Sequence, residues 1–139
     1  MKFRLLIPVL AFSILSCSAP KEDYPSNSMD AGREFIRASM DGDFDKAGKL
    51  LMNEPENLQL FDSFKRYYER LTEEEKTNYR KASYEINSFR ELNDSSVTIN
   101  YSNSYMNKPM DILVVRKNGK WMIDFKYTYS DYDSTSAKP

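Results

Sequence analysis

The chain has 139 residues, with 20 Lys and Arg, 21 Asp and Glu, no histidine and one cysteine, and its formal net charge at pH 7 is −1. This length suggests one domain, and the absence of a basic excess argues against nucleic acid as a partner. Without histidine or a second cysteine, the chain lacks the commonest general base, the commonest neutral metal ligand and any intrachain disulfide, so we expect no enzyme activity, metal or cofactor.

Residues 1–16 have the features of an export leader. Lys2 and Arg4 give a positive start, and an apolar stretch follows from Leu5 to Leu15. As a helix this stretch would span about 16 Å at ~1.5 Å per residue, which is half of a bilayer core and too short to cross it. The stretch is apolar on all sides, unlike an amphipathic buried helix, so it predicts a signal peptide.

The leader ends in Ile14-Leu15-Ser16-Cys17, which resembles the lipobox of bacterial lipoproteins. The resemblance implies cleavage before Cys17, a diacylglyceryl group on its sulfur and a further acyl group such as palmitate on its new amino group. Two or three chains, at ~0.8 kcal/mol per buried CH₂, would anchor the protein stably to a membrane of the cell envelope. The alternative is an ordinary secreted protein with an unmodified cysteine.

Residues 17–28 are predicted to be the lipidated cysteine and a flexible tether, because they are rich in Ser and Pro and show no periodicity. Within them, Lys21-Glu22-Asp23 resembles the short charged signals that send some lipoproteins to the outer cell surface. Ordinary linker solubility is the alternative. The outer membrane is the expected location, and surface display stays open.

A folded domain is predicted over residues 29–130, and its first half has helical spacing. Ser28 or Asp30 can cap the first helix, and Gly42 ends it. Asp43 or Asp45 can cap a second, shorter helix.

Two further helices are expected before the pattern changes. Pro55 is predicted to close the second helix, and the third runs from about Leu58. Thr72-Glu73-Glu74-Glu75 is a capping box, so a short fourth helix should begin there and continue to about Arg80.

After Ala82 the apolar residues alternate with a period of two, which predicts strands. The first strand begins at Tyr84 and ends at Asn93-Asp94-Ser95-Ser96. The second carries three apolar residues on one face, namely Val97, Ile99 and Tyr101.

Asn118-Gly119 predicts a two-residue hairpin loop between strands Met110–Lys117 and Lys120–Tyr129. Such a loop sets Lys117 opposite Lys120. The resulting core-face pairs are all apolar: Val114 with Ile123, Ile112 with Phe125, and Met110 with Tyr127. A slip of one residue would set apolar against polar side chains, so this register is well specified. Residues 131–139 form a polar tail.

Two segments resemble a known family. Asp41–Ala47 is similar to the helix–turn–helix of small exported domains with the nuclear-transport-factor-like (cystatin-like) cone fold, and Lys117–Ile123 is similar to their closing hairpin. The nearest group is lipoproteins of unknown function, sometimes called lumazine-binding-like. The resemblance covers about residues 29–129 and implies an α+β fold, with N-terminal helices packed on a curved antiparallel sheet of about four strands. That fold hosts isomerases, dehydratases, transport adaptors and binding modules.

An enzyme of this fold would need a carboxylate inside the cone. Asp124 is the obvious strand carboxylate, but alternation sets it on the face opposite Trp121, toward solvent or a dimer partner. Asp111 shares that outer face, and Glu85 has the same problem in a weaker strand. We therefore predict a non-catalytic binding domain, with an isomerase- or dehydratase-like enzyme as the alternative.

Aromatic side chains are the positive indication of binding, since the chain has ten Tyr, eight Phe and one Trp. Several could rim a concave apolar pocket: Tyr67, Tyr84, Tyr101, Tyr105, Trp121 and Tyr127. The residues predicted to contact a small apolar ligand are Trp121, Arg116, Tyr67, Tyr101 and Tyr105. The alternative is that these rings belong to the core and that Arg116 shields Trp121 at its end.

Protein partners in the envelope are also expected. The outer sheet face should carry Leu113, Val115 and Met122 side by side. Such an apolar patch would suit an envelope protein or a second copy of this chain. A structural, dimerising module is therefore the third functional class.

Overall fold

The structure is a computed structural model, and it describes residues 23–128. These residues form four helices and then four strands: α1 (Ser28–Asp41), α2 (Phe44–Lys49), α3 (Pro55–Glu69), α4 (Glu73–Lys81), β1 (Tyr84–Asn93), β2 (Ser96–Asn103), β3 (Pro109–Lys117) and β4 (Lys120–Asp124). The strands form one antiparallel sheet in the order β1-β2-β3-β4, so the α+β prediction is confirmed. The leader, Cys17 and the tail at 131–139 lie outside the described residues. Within 23–128, no helix is long and apolar enough to cross a membrane.

The first two helices begin and end at residues that suit these positions. Asn27 caps α1, rather than Ser28 or Asp30, and its side-chain oxygen accepts a hydrogen bond of 2.8 Å from the Asp30 amide. Gly42 ends α1 in the left-handed region at φ 75°, as predicted. Asp43 caps α2, which decides between the two predicted alternatives.

Pro55 does not close α2, because it is the first residue of α3, which therefore begins earlier than Leu58. A proline is tolerated there since the first turn of a helix has no internal acceptor for its missing N–H. The capping box of α4 is confirmed. The Glu75 amide donates to the Thr72 hydroxyl at 3.2 Å, and the Thr72 amide donates to the Glu75 carboxylate at 2.8 Å.

The predicted hairpin register is confirmed. Lys117 lies opposite Lys120, and Val114 lies opposite Ile123. Both loop residues, Asn118-Gly119, have positive φ (52° and 77°), which a type I′ turn requires.

β4 ends at Asp124, five residues before the predicted end at Tyr129. Two predicted pairs therefore do not form: Ile112 with Phe125, and Met110 with Tyr127. Residues 125–128 instead make a helical turn, which sets the Phe125 ring 5.4 Å from that of Phe61. Burial of the Phe125 ring in an aromatic cluster thus stabilises the fold more than two further residue pairs between β3 and β4 would.

The core lies between α1 and the inner face of the sheet. Its largest fully buried apolar side chains are Phe35, Ile36, Met40, Ile99, Ile112, Val114 and Ile123. Gly32 allows the close approach of the helix, since a Cβ there would lie 2.3 Å from Ile99 Cδ1.

The chain after α2 runs along the outer edge of β4. Leu51 forms an isolated parallel bridge with Ile123. The Ile123 amide donates to the Leu50 carbonyl at 2.7 Å, and the Met52 amide donates to the Ile123 carbonyl at 2.9 Å. We call residues 50–52 the edge clip, because they pair with part of the β4 edge.

Candidate functional site

The interior of the cone is filled by aromatic rings. Phe35, Phe61, Phe64 and Phe125 form a cluster with neighbouring ring centroids 5.4 to 6.3 Å apart. A cavity of about 30 Å³ remains beside this cluster, with Tyr101 in its wall. That volume suits about one or two water molecules. A substrate the size of a sugar or a nucleobase does not fit there.

The tyrosines predicted to bind a ligand do not converge on one pocket. Tyr101 is buried in the wall of the small cavity, and its hydroxyl donates to the Met110 sulfur at 3.7 Å. Tyr105 packs edge-on against Tyr79, with ring centroids 5.5 Å apart. Tyr67 is 51% exposed on α3. Each ring thus has a different environment.

Trp121 and Arg116 lie opposite each other across the β3–β4 hairpin. The guanidinium carbon of Arg116 is 5.8 Å from the centroid of the half-buried Trp121 ring, so Arg116 covers part of this ring. At an exposed arginine such a contact stabilises by about 0.5–1 kcal/mol. Trp121 is not part of the wall of the cavity beside Tyr101. A ligand pocket at Trp121 stays a prediction.

Asp124 lies on the outer sheet face opposite Leu113, as alternation predicted. It does not face open solvent, however, because its side chain is only 14% exposed and lies 3.2 Å from the Lys126 ammonium. Lys126 also donates to Glu54 at 2.7 Å. This hydrogen bond lowers the pKa of Glu54 and raises the pKa of Lys126. Asp124 therefore belongs to an ion-pair cluster that ties the end of β4 to the loop before α3.

The other carboxylates named from the sequence also lie outside the cone. Asp111 accepts a hydrogen bond of 3.0 Å from the Asn100 side chain, and Glu85 is exposed on β1. Among residues 23–128 there is no group of three or more acidic or thiol side chains that could hold a metal ion.

The outer sheet face carries the apolar residues that the alternation predicted. Val115 lies opposite Met122, and Leu113 is two residues away on the same strand. All three side chains are half-buried. Dimerisation through this face stays a prediction.

An open groove of about 430 Å³ lies on the helical side of the molecule, between the α1–α2 turn, the end of α3 and α4. Its floor includes Phe44 and Tyr68, whose ring centroids are 5.2 Å apart. Gly42 permits this arrangement, because a Cβ at its position would lie 2.8 Å from the Tyr68 hydroxyl oxygen. We call this concavity the helical groove.

The Tyr68 hydroxyl is the unusual polar group of the helical groove. Tyr68 is 6% exposed, and its oxygen has no hydrogen-bond partner among the described residues. A buried hydroxyl without a partner destabilises a fold by about 1–3 kcal/mol. The oxygen itself is covered by neighbouring atoms, so a ligand or a water molecule in the groove would supply the missing partner after a small displacement of the side chains around it.

The walls of the helical groove carry both signs of charge. The cations are Lys65, Lys76 and Arg80, and the carboxylates are Asp43, Asp45, Glu69 and Glu73. Lys76 is paired with Glu73 at 3.0 Å, whereas Lys65 has no ion pair within residues 23–128. This site was not predicted from the sequence, because its residues come from separate segments that no local pattern connects.

Comparisons with known proteins add the following. No protein-family model matches the sequence, and no curated protein matches it. Among solved structures, the chain is similar to an NTF-2-like protein of unknown function from Shewanella oneidensis MR-1, with 12% sequence identity and a TM-score of 0.49, over 68% of this chain and 89% of that chain. The order of helices and then antiparallel strands agrees with the nuclear-transport-factor-like fold that the sequence resemblance implied.

Proposed function

We propose that this chain is a lipid-anchored protein of the cell envelope whose domain binds a small ligand without catalysis. The leader and the lipobox ending at Cys17 support the anchor and the location. The observation that carries the binding role is the buried, unpartnered Tyr68 hydroxyl on the floor of the helical groove.

The charges of the helical groove favour a ligand that carries both signs. A purely anionic ligand would be repelled by the four carboxylates, and a purely cationic one by the three basic side chains. A zwitterion such as an amino acid or a short peptide can place its carboxylate near Lys65 and its ammonium near Asp45 or Glu69. We therefore expect a polar, zwitterionic ligand rather than the apolar one that the aromatic content favoured.

The cone interior supports a non-catalytic role. Its small cavity is walled by apolar rings and chains, with Ser39, Tyr101 and Thr128 as the polar members, and no carboxylate of residues 23–128 lines it. An isomerase or dehydratase would need a general base within hydrogen-bonding reach of a bound substrate.

A titration of the helical groove tests the binding role. Amide chemical shifts of the lipid-free chain are followed by NMR while free amino acids and dipeptides are added. We expect saturable shifts around Lys65, Tyr68 and Glu69. Tyr68→Phe removes one hydrogen bond of about 1.5 kcal/mol and should weaken binding about tenfold. Tyr67→Phe is the matched control, since that neighbouring ring is exposed and outside the groove. The proposal is wrong if no zwitterion binds, or if both variants bind alike.

Mass spectrometry of the membrane fraction tests the anchor. The mature chain should begin at an acylated Cys17. Cys17→Ser should leave the chain unacylated with its leader attached, because no other thiol is present. Ser18→Ala is the control and should be acylated normally. An unmodified mature chain that begins elsewhere would contradict the anchor.

A further inference from the structure

β1 is an edge strand whose second edge is free. It pairs with β2 on one side, and nothing in residues 23–128 pairs with it on the other. Eight of its ten residues are exposed, and the half-buried ones are Tyr84 and Ile86. An unpaired row of backbone N–H and C=O groups is a template for another strand.

A bulge gives this strand a symmetric arrangement of side chains. The register with β2 shifts between Ile86 and Ser88, so that Asn87 is the extra residue. The side-chain Nδ2 of Asn87 donates to Asn100 Oδ1 at 2.8 Å and to Ser102 Oγ at 2.7 Å. These bonds hold the Asn87 side chain on the outer face, together with that of Ser88.

On either side of Asn87 and Ser88, the side chains alternate between the two faces of the sheet in mirror-image order. Ile86 and Phe89 face the inner side, since their β2 partners are the buried Tyr101 and Ile99. One step further out, Glu85 and Arg90 both face the outer side, opposite Ser102 and Thr98. Without the bulge, two residues five positions apart would lie on opposite faces.

We propose that two copies of this chain pair antiparallel through β1, about a two-fold axis between Asn87 and Ser88. In this register every side chain of residues 84–91 lies opposite one on the same face of the joined sheet. Glu85 lies opposite Arg90 of the second copy, and the two-fold axis makes this attractive pair twice. Neither side chain has an ion-pair partner within the described part of its own chain, so both are available.

The inner face of the joint is complementary as well. Ile86 lies opposite Phe89 of the second copy, again twice. Phe89 is 39% exposed in the single chain, and this contact would cover part of its ring. Tyr84 lies opposite Glu91 of the second copy, where its phenol can donate to the carboxylate. Bulges usually protect an edge against unrelated strands. Two copies of one strand carry the Asn87 bulge at the same place, so these two distortions meet at the axis. A second irregularity, at Leu92, lies beyond the paired residues 84–91.

Disulfide cross-linking of the full-length chain in its own membranes tests the register. Opposed Cα atoms in an antiparallel pair are about 4.5–5.5 Å apart, which a disulfide can span. Glu85→Cys/Arg90→Cys should therefore give a covalent dimer on a non-reducing gel after mild oxidation. Within one chain these positions are about 15 Å apart, so the pair cannot close on itself.

The two single-cysteine variants are the matched controls. In each single variant, the new thiol of one copy lies far from the same thiol of the second copy, so neither variant should form a cross-link. Cys17 is present in every variant, so a cross-link between two copies of Cys17 would appear in the unmodified chain too, and one between Cys17 and a new thiol would appear in a single variant. A double variant that stays monomeric after oxidation, or single variants that cross-link equally, would overturn the proposal.

Charge reversal supplies a second test that needs no thiol. Glu85→Arg sets like charges opposite each other at both pairs, as does Arg90→Glu, and each should lower the dimer association constant about tenfold in sedimentation of the detergent-solubilised full chain. The double reversal should restore it. Glu74→Arg, an exposed reversal on α4, should leave it unchanged. Failure of the double reversal to restore the dimer would show that these residues do not face each other.

Discussion

Gly32→Ala tests how closely α1 packs on the sheet. The new methyl carbon would lie 2.3 Å from Ile99 Cδ1, whereas an ordinary contact is 3.4–4 Å. Ile99 is 0% exposed, so its end methyl has little free space to enter. Overpacking of this kind destabilises by about 1–3 kcal/mol. The higher helix propensity of alanine offsets about 1 kcal/mol of this loss. We expect Gly32→Ala to lower the free energy of unfolding by about 0–2 kcal/mol.

Ile99→Val removes the atom responsible for the clash and should rescue the variant. Alone it lowers stability by about 0.5–1.5 kcal/mol. In the double variant the new methyl would lie 3.5 Å from Ile112 Cδ1, an ordinary contact, and would fill the space that Ile99→Val opens. Urea denaturation of all four proteins should therefore give a coupling energy above about 1 kcal/mol, with the double variant more stable than Gly32→Ala.

Gly48→Ala is the matched control on α2, because its new methyl would lie 3.7 Å from the nearest atom, Phe61 Cε1. It should be neutral or stabilise by up to about 1 kcal/mol. Additive effects of Gly32→Ala and Ile99→Val, within about 0.5 kcal/mol, would refute this account of the interface.

Three further substitutions test the loops around the sheet. The Lys126 hydrogen bond lowers the pKa of Glu54 below 4.5, so this stabilisation is present above that pH and is lost on acidification. Urea curves of Glu54→Gln and the unchanged chain should differ at pH 7 and converge as acidification protonates Glu54. Asn57→Leu leaves the Lys126 amide without its acceptor at 2.8 Å and should destabilise by about 1–3 kcal/mol in the same assay, whereas the exposed Asn53→Leu should have little effect. Gly119→Val should lower stability by about 1–2 kcal/mol through its positive φ alone, since no atom of residues 23–128 lies within 4 Å of a Cβ at this position. Gly119→Asn should lower it less, and equal losses would contradict a backbone cause.

The hairpin could be predicted from the sequence because its information is local. Asn118-Gly119 fixes the loop, and apolar alternation on both sides leaves one register in which the faces agree. The capping box at Thr72 is equally local. The start of α1 was harder to predict, because Asn27, Ser28 and Asp30 are all good caps and only the packed helix decides among them.

The errors occur where distant contacts outweigh the local pattern. Phe125 and Tyr127 continue the alternation of β4, but the chain leaves the sheet so that the Phe125 ring packs among the other phenylalanines. Pro55 can follow one helix or begin the next, and the pattern around it does not distinguish the two. The helical groove could not be predicted either. Its lining residues come from separate helices, and the burial of the Tyr68 hydroxyl depends on how these helices pack together.

The edge clip determines how far the sheet can be extended. A strand arriving at β4 would have to displace the hydrogen bonds between residues 50–52 and Ile123, whereas one arriving at β1 displaces nothing in residues 23–128. Addition at β1 therefore ends at two copies, because the enlarged sheet then presents a covered β4 at each end. With both edges free, the same attraction would continue from copy to copy and give an open fibre. The short stretch from Leu50 to Met52 would thus limit the proposed assembly to two copies.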